Sequence, residues 1–135
     1  MGLSEEEKRA IIKHRLDKAK DTLLDVYVSI KNSRWNNAAN RLYYACFYAA
    51  MALLIKDDHE ARTHNGVKAL LGLHYVKDGI INEELSQAYR KMFNLRQTGD
   101  YDDLANITGD DVKPLVEPAE KFIALIENLI NNFNL

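Results

Sequence analysis

Leu42-Tyr43-Tyr44-Ala45-Cys46-Phe47-Tyr48-Ala49-Ala50-Met51-Ala52-Leu53-Leu54-Ile55 runs for 14 residues without a charge, bounded by Arg41 and Lys56. A bilayer-spanning helix needs about 20 apolar residues, so this run is short for a membrane span. A helix that is apolar nearly all round is better placed at the centre of a globular domain. Its alanines, with Ala38 and Ala39 just upstream, let neighbouring backbones approach closely. The segment from Arg34 to Ile55 is therefore expected to be the buried central helix of a helical domain.

The flanking sequence is helical too. Ser4 followed by Glu7 is a capping-box pattern, each side chain satisfying an otherwise orphan backbone N–H. Behind it Ile12, Leu16, Ala19, Leu23, Val26 and Ile30 recur at steps of three and four, the apolar stripe of a long first helix. Lys13, Arg15, Asp17, Lys18, Lys20 and Asp21 fall on its solvated faces. Lys31-Asn32-Ser33 breaks the pattern. After the central helix, Asp57 to Arg62 is loop-like, and Thr63 caps a short helix through Val67, Leu70, Leu71 and His74. Lys77-Asp78-Gly79 reads as a turn. Asn82 caps a helix with the stripe Leu85, Tyr89, Met92, and Gly99 reads as its stop. Asp100 to Gly109 is expected to be a connecting loop. The last helix holds Leu115, Ala119, Phe122, Ile126, Leu129 and Phe133, with a late start or a kink expected because of Pro114 and Pro118. No strand-like alternation, internal repeat or low-complexity run is present. Short loops favour antiparallel neighbours. The expected fold is a single all-α domain over residues 1–135, an antiparallel up-and-down bundle of four long helices plus one short helix.

Composition narrows the function classes. The 135 residues are 47% hydrophobic and 28% charged, the balance of an ordinary globular domain. A net charge of −2 excludes a uniformly basic nucleic-acid binder but not a local basic groove. A lone cysteine, Cys46, forms neither an intramolecular disulfide nor a multi-cysteine zinc site, and it fits a reducing compartment. The start MGLSEEEKRA has no apolar stretch of signal-peptide type, so a cytoplasmic location is expected. Charge is uneven: seven acids lie between Asp100 and Glu120 against one base, Lys113, leaving the rest of the chain at +4.

Placement supplies the candidates. Arg96 continues the stripe Leu85, Tyr89, Met92 at the next helical step, so its charge points toward the packed side. A buried guanidinium needs a carboxylate, a ligand anion or a route to water. It also complements a helix C-terminus and can pair with Asp100 or Glu84, which is the purely structural reading. On the central helix Asn37, Arg41, Tyr44 and Tyr48 share one stripe. Arg with Tyr suits an interface, and equally suits phosphate and base stacking; tyrosines at a core boundary are the bland alternative. His64 opens the short helix, where anions gather, although exposed loop histidines are common. His59 and His64 beside Asp57 and Asp58 make a poor metal set, and no H-E-x-x-H or pair of E-x-x-H motifs occurs. Neither a GxGxxG nor a GxxxxGK[ST] loop is present. No metal and no cofactor are expected.

Three segments carry a resemblance: Asn40-Arg41-Leu42-Tyr43-Tyr44-Ala45, Thr63-His64-Asn65-Gly66-Val67 and Leu95-Arg96-Gln97-Thr98-Gly99-Asp100-Tyr101. In this order, and with this helix pattern between them, the chain from Ser4 to Ile130 resembles the HEPN family (higher eukaryotes and prokaryotes nucleotide-binding domains). The small stand-alone prokaryotic members are the most similar. The resemblance implies an antiparallel bundle that forms a homodimer and associates with nucleotides or RNA. It also implies a small nucleotidyltransferase as partner in a toxin–antitoxin pair. Many members are metal-independent endoribonucleases that use an Arg, a polar spacer and then a His. Arg96 matches that arginine, but Tyr101 stands where the histidine is usual, and no histidine follows His74. A tyrosine with an ordinary pKa of about 10 is a poor acid–base group at neutral pH. Three functions are therefore open. The first is a nucleotide- or RNA-phosphate-binding module using Arg96, Tyr101, Asn40, Arg41, Tyr44, His64 and Asp100. The second is an endoribonuclease toxin with Arg96 on the phosphate and Tyr101 or His64 moving protons. The third is a structural dimerisation unit.

Overall fold

The computed structural model describes residues 2–101 and 106–133, without the side chains of Tyr101 and Phe133. Helix α1 spans Glu5–Lys31 and α2 Trp35–Lys56; α3 spans His64–Leu71, α4 Glu83–Tyr101 and α5 Gly109–Phe133. The described residues contain no strand. Helix α2 packs against α1, α4 and α5 and touches α3, so it is the axis of the bundle. Leu42, Cys46, Ala49, Ala50 and Leu53 have no exposed surface at all. By length and composition α2 alone among the described helices is apolar enough to cross a bilayer, yet most of it is buried inside the bundle. The sequence pattern and the all-α bundle agree.

Local chemistry sets the ends. The Ser4 hydroxyl accepts from the Glu7 N–H at 3.1 Å, and the Ser4 N–H donates to the Glu7 carboxylate at 2.9 Å, closing the box that starts α1. Thr63 Oγ1 accepts from the Gly66 N–H at 2.9 Å and starts α3. Asn82 Oδ1 accepts from the Leu85 N–H at 2.8 Å and starts α4. After α3 the chain makes one π-helical turn, Gly72–Val76, which nothing in the apolar pattern announces. The wider turn buries Tyr75, not His74; His74 is half-buried and stacks on His59 with ring centroids 4.0 Å apart. Gly79 then reverses the chain at φ +76°.

Two boundaries differ from expectation. Helix α4 does not stop at Gly99 but continues to Tyr101, so Asp100 lies in its last turn and not in a loop. The glycine answers a packing need: a Cβ there would come 2.6 Å from Ile107 Cδ1, and Ile107 is buried. Helix α5 starts early, at Gly109, and is continuous through Pro114 and Pro118. Its start is held by Asp111, whose carboxylate accepts from the Thr108 N–H at 2.9 Å and the Thr108 hydroxyl at 3.2 Å. Each proline removes one helical N–H. Pro114 is exposed and Pro118 half-buried, so water can reach the carbonyls left without a helical donor.

Candidate functional site

Arg96 is 4% exposed, buried one turn beyond Met92 as its place on the α4 stripe requires. Its Nη1 lies 3.6 Å from Asp100 Oδ2, one helical turn on. Its guanidinium carbon lies 4.9 Å from the ring centroid of Tyr43 and 5.7 Å from that of Tyr44. The aromatic faces of α2 thus share the cost of burying the charge. Glu84, the other carboxylate considered for Arg96, sits three turns away at the start of α4.

Asn40 ties this charge to α2. Its amide nitrogen donates to both Asp100 oxygens, at 3.2 and 3.4 Å. Its amide oxygen accepts from Arg41 Nε at 3.0 Å and Arg41 Nη2 at 2.7 Å. The Arg41 guanidinium lies over the Tyr44 ring at 5.5 Å, and Arg41 makes no ion pair among the described residues. Two guanidiniums and one carboxylate therefore meet where α2 crosses the end of α4. Among the described residues the two cations at this crossing outnumber the one carboxylate.

His64 comes to the same place from α3. Its Nδ1 lies 2.7 Å from the hydroxyl of Tyr43, which has no exposed surface. The imidazole packs 4.5 Å from the ring of Phe47, with Tyr43 and Tyr44 at 5.6 and 5.7 Å. Desolvation, and secondarily the Arg96 charge, hold the His64 pKa below its ordinary value. His64 and Arg96 thus share one electrostatic neighbourhood, although 32 positions separate them in the chain. Burial pushes the Tyr43 phenol up to about 12, while the nearby Tyr89 hydroxyl and Arg96 guanidinium pull in the other direction.

The structure thus gathers Arg96, Asp100, Asn40, Arg41, Tyr44 and His64 into one cluster. The side chain of Tyr101, expected at the histidine position, lies outside the described residues. Asn37, expected on the Arg41 stripe, is turned away and donates to Ser29 Oγ at 2.6 Å. Sequence reading missed Tyr43 and Phe47, which line the cluster. The signal for Tyr43 was a phenol on the core side of α2, since a buried hydroxyl has to find a partner. Among the described residues no three His, Cys, Asp or Glu side chains gather as a metal set.

The arrangement offers guanidinium, amide and imidazole nitrogens beside aromatic faces, a chemistry suited to phosphate and nucleobases. A sequence model for the HEPN domain matches residues 12–129. A UPF0332 protein of Thermotoga maritima is 39% identical over 126 residues, which are 93% of this chain and 96% of that protein. A protein of Methanocaldococcus jannaschii named "Putative toxin MJ0605" is 29% identical over 122 residues, 90% of each chain. The crystal structure of TT1696 from Thermus thermophilus superimposes with a TM-score of 0.74 over 87% of this chain and 96% of that one; at 18% identity it supports the bundle alone.

Proposed function

The chain belongs to the HEPN domain family, and from that premise we propose that it is the toxin-like half of a toxin–antitoxin pair, a dimeric module that binds nucleotide or RNA phosphate. The partner in this reading is a small nucleotidyltransferase. One observation supports it above the others: Asn40 links two guanidiniums, donating to the Asp100 carboxylate that pairs with Arg96 and accepting from Arg41. A bound phosphate would compete with Asp100 for Arg96. The toxin names of relatives agree with this reading. In a fluorescence titration with a labelled single-stranded RNA, Arg96→Ala should weaken binding about tenfold or more, the range for losing a charge-assisted contact. Equal binding by wild type and variant would sink the proposal.

A second reading, a metal-independent endoribonuclease, draws on His64. An imidazole beside Arg96 can move a proton while the guanidinium neutralises phosphate charge. Chelator-resistant cleavage that depends on both Arg96 and His64 supports that reading, and RNA left intact argues for binding alone. The structural reading has the Arg96–Asp100 pair in its favour.

A further inference from the structure

The phenol of Tyr43 lies behind the cluster, with no exposed surface, yet its hydroxyl comes within 2.7 Å of His64 Nδ1. Either partner of that contact can supply the proton. Three features decide the direction. Tyr43 keeps its proton at neutral pH, because burial pushes its pKa to about 12. The Arg96 guanidinium beside the Tyr43 ring carries donors and no acceptor, so it cannot take the phenolic proton, and the nearby Tyr89 hydroxyl lowers the Tyr43 pKa, as a donor toward the phenol oxygen does and an acceptor does not. The imidazole is held neutral by desolvation and by Arg96, so one of its nitrogens is a free acceptor. A buried hydroxyl with an imidazole lone pair within bonding distance donates to it.

We propose that Tyr43 is a positioning residue for His64: its hydroxyl donates to Nδ1, which places the imidazole proton on Nε2, the nitrogen that Tyr43 does not hold. The use of this tautomer rests on the phosphate-binding reading above. There His64 presents an N–H donor to an anion next to the Arg96 guanidinium. The ring is half-buried, clamped by Phe47 on one side, and its inner nitrogen is committed to a group that solvent cannot reach. Ring orientation and tautomer are therefore set before any ligand arrives, and a bound phosphate need not order them.

The test reads the ring directly. Long-range proton–nitrogen correlation spectra of the labelled full chain, taken above the titration range of histidine, should show wild-type His64 protonated on Nε2 with Nδ1 hydrogen-bonded. Tyr43→Phe keeps the ring that packs under Arg96 and removes only the hydroxyl. It should give a mixture of both tautomers and a displaced Nδ1 signal. A variant that merely loosened packing would move the melting temperature without redistributing the proton. For a labelled single-stranded RNA of a dozen nucleotides, Tyr43→Phe should weaken binding about threefold to tenfold, the worth of one hydrogen bond. Added to His64→Ala, it should change nothing further. A wild-type ring protonated on Nδ1 overturns the proposal without recourse to any variant, as does a Tyr43→Phe ring with unaltered proton positions. A redistributed proton in a protein that binds no RNA upholds the positioning and overturns the RNA reading instead.

Discussion

The two sides of α2 solve different problems. Around Cys46 the helix meets α4 and α5 through small and apolar groups: its sulfur lies 3.8 Å from the Met92 sulfur, and Ala49, Ala50 and Ala119 are fully buried. Burial pushes the Cys46 thiol up, so it stays protonated and behaves as a small hydrophobe. A turn away, Asn40, Arg41, Tyr43 and Tyr44 meet Arg96, Asp100 and His64 through directed contacts of fixed partners. Packing without polar groups needs only volume and shape to agree. The polar side needs each donor to find its acceptor, and its partners come from α3 and the end of α4. One helix therefore carries both the stability of the bundle and the site, and the fully buried Tyr43, on its core side, joins the two.

The sharpest way to separate the faces is a core deletion. Phe122 of α5 is 1% exposed, and its ring lies 5.4 Å from that of Tyr89. Phe122→Ala should cost about 3–5 kcal/mol in urea unfolding, from lost transfer energy and the cavity left behind. RNA affinity measured well below the lowered midpoint should hold. A parallel fall in affinity would mean that the faces are mechanically one unit.

A smaller effect, of mixed sign, is expected from the other face. Asp100→Asn keeps the shape of the side chain and removes the charge opposite Arg96. Breaking a fully buried ion pair costs about 3–5 kcal/mol. The Asp100 side chain is 31% exposed, and the Tyr43 and Tyr44 rings still face Arg96. Solvent screening therefore brings the expected loss down to about 1–2 kcal/mol. The same change raises the local positive charge, so RNA affinity should rise while stability falls. A variant weaker in both would make Asp100 part of the binding surface and not a competitor for Arg96.

The core side was legible in the sequence and much of the polar side was not, for a physical reason. Ser4 with Glu7, Thr63 and Asn82 act within one turn, so spacing alone reveals them. The stripes of α1, α4 and α5 repeat every three or four residues and survive any tertiary arrangement. Arg96 was visible because it breaks such a stripe. Its companions are another matter: the Asn40–Asp100 contact spans 60 positions, and the Tyr43–His64 contact 21. The HEPN resemblance placed their segments, but no periodicity joins them. Gly99 misled for the same reason, since its partner is Ile107, beyond the end of the helix. Pro118 misled through propensity: a ring that ordinarily breaks helices is tolerated where solvent can serve the freed carbonyl.

The least disruptive probe of the difference is pH. Cys46 on the apolar side stays protonated across the physiological range, so that side should be indifferent to mild acid. His64 on the other side has its folded-state pKa lowered by desolvation and by Arg96. In the unfolded chain it titrates near its ordinary value of about 6.5. Above that value neither state binds the proton, and the contribution of the neutral buried imidazole is fully present. As pH falls below it, the unfolded chain takes up the proton first, and stability is lost until pH passes the folded-state pKa. His64→Gln cannot titrate, so its melting temperature should fall less than that of the wild type over the same acid interval. His14, His59 and His74 are common to both proteins and cancel in the difference. Identical slopes would mean that His64 is as well solvated in the fold as outside it, and the polar face would lose its enclosed character.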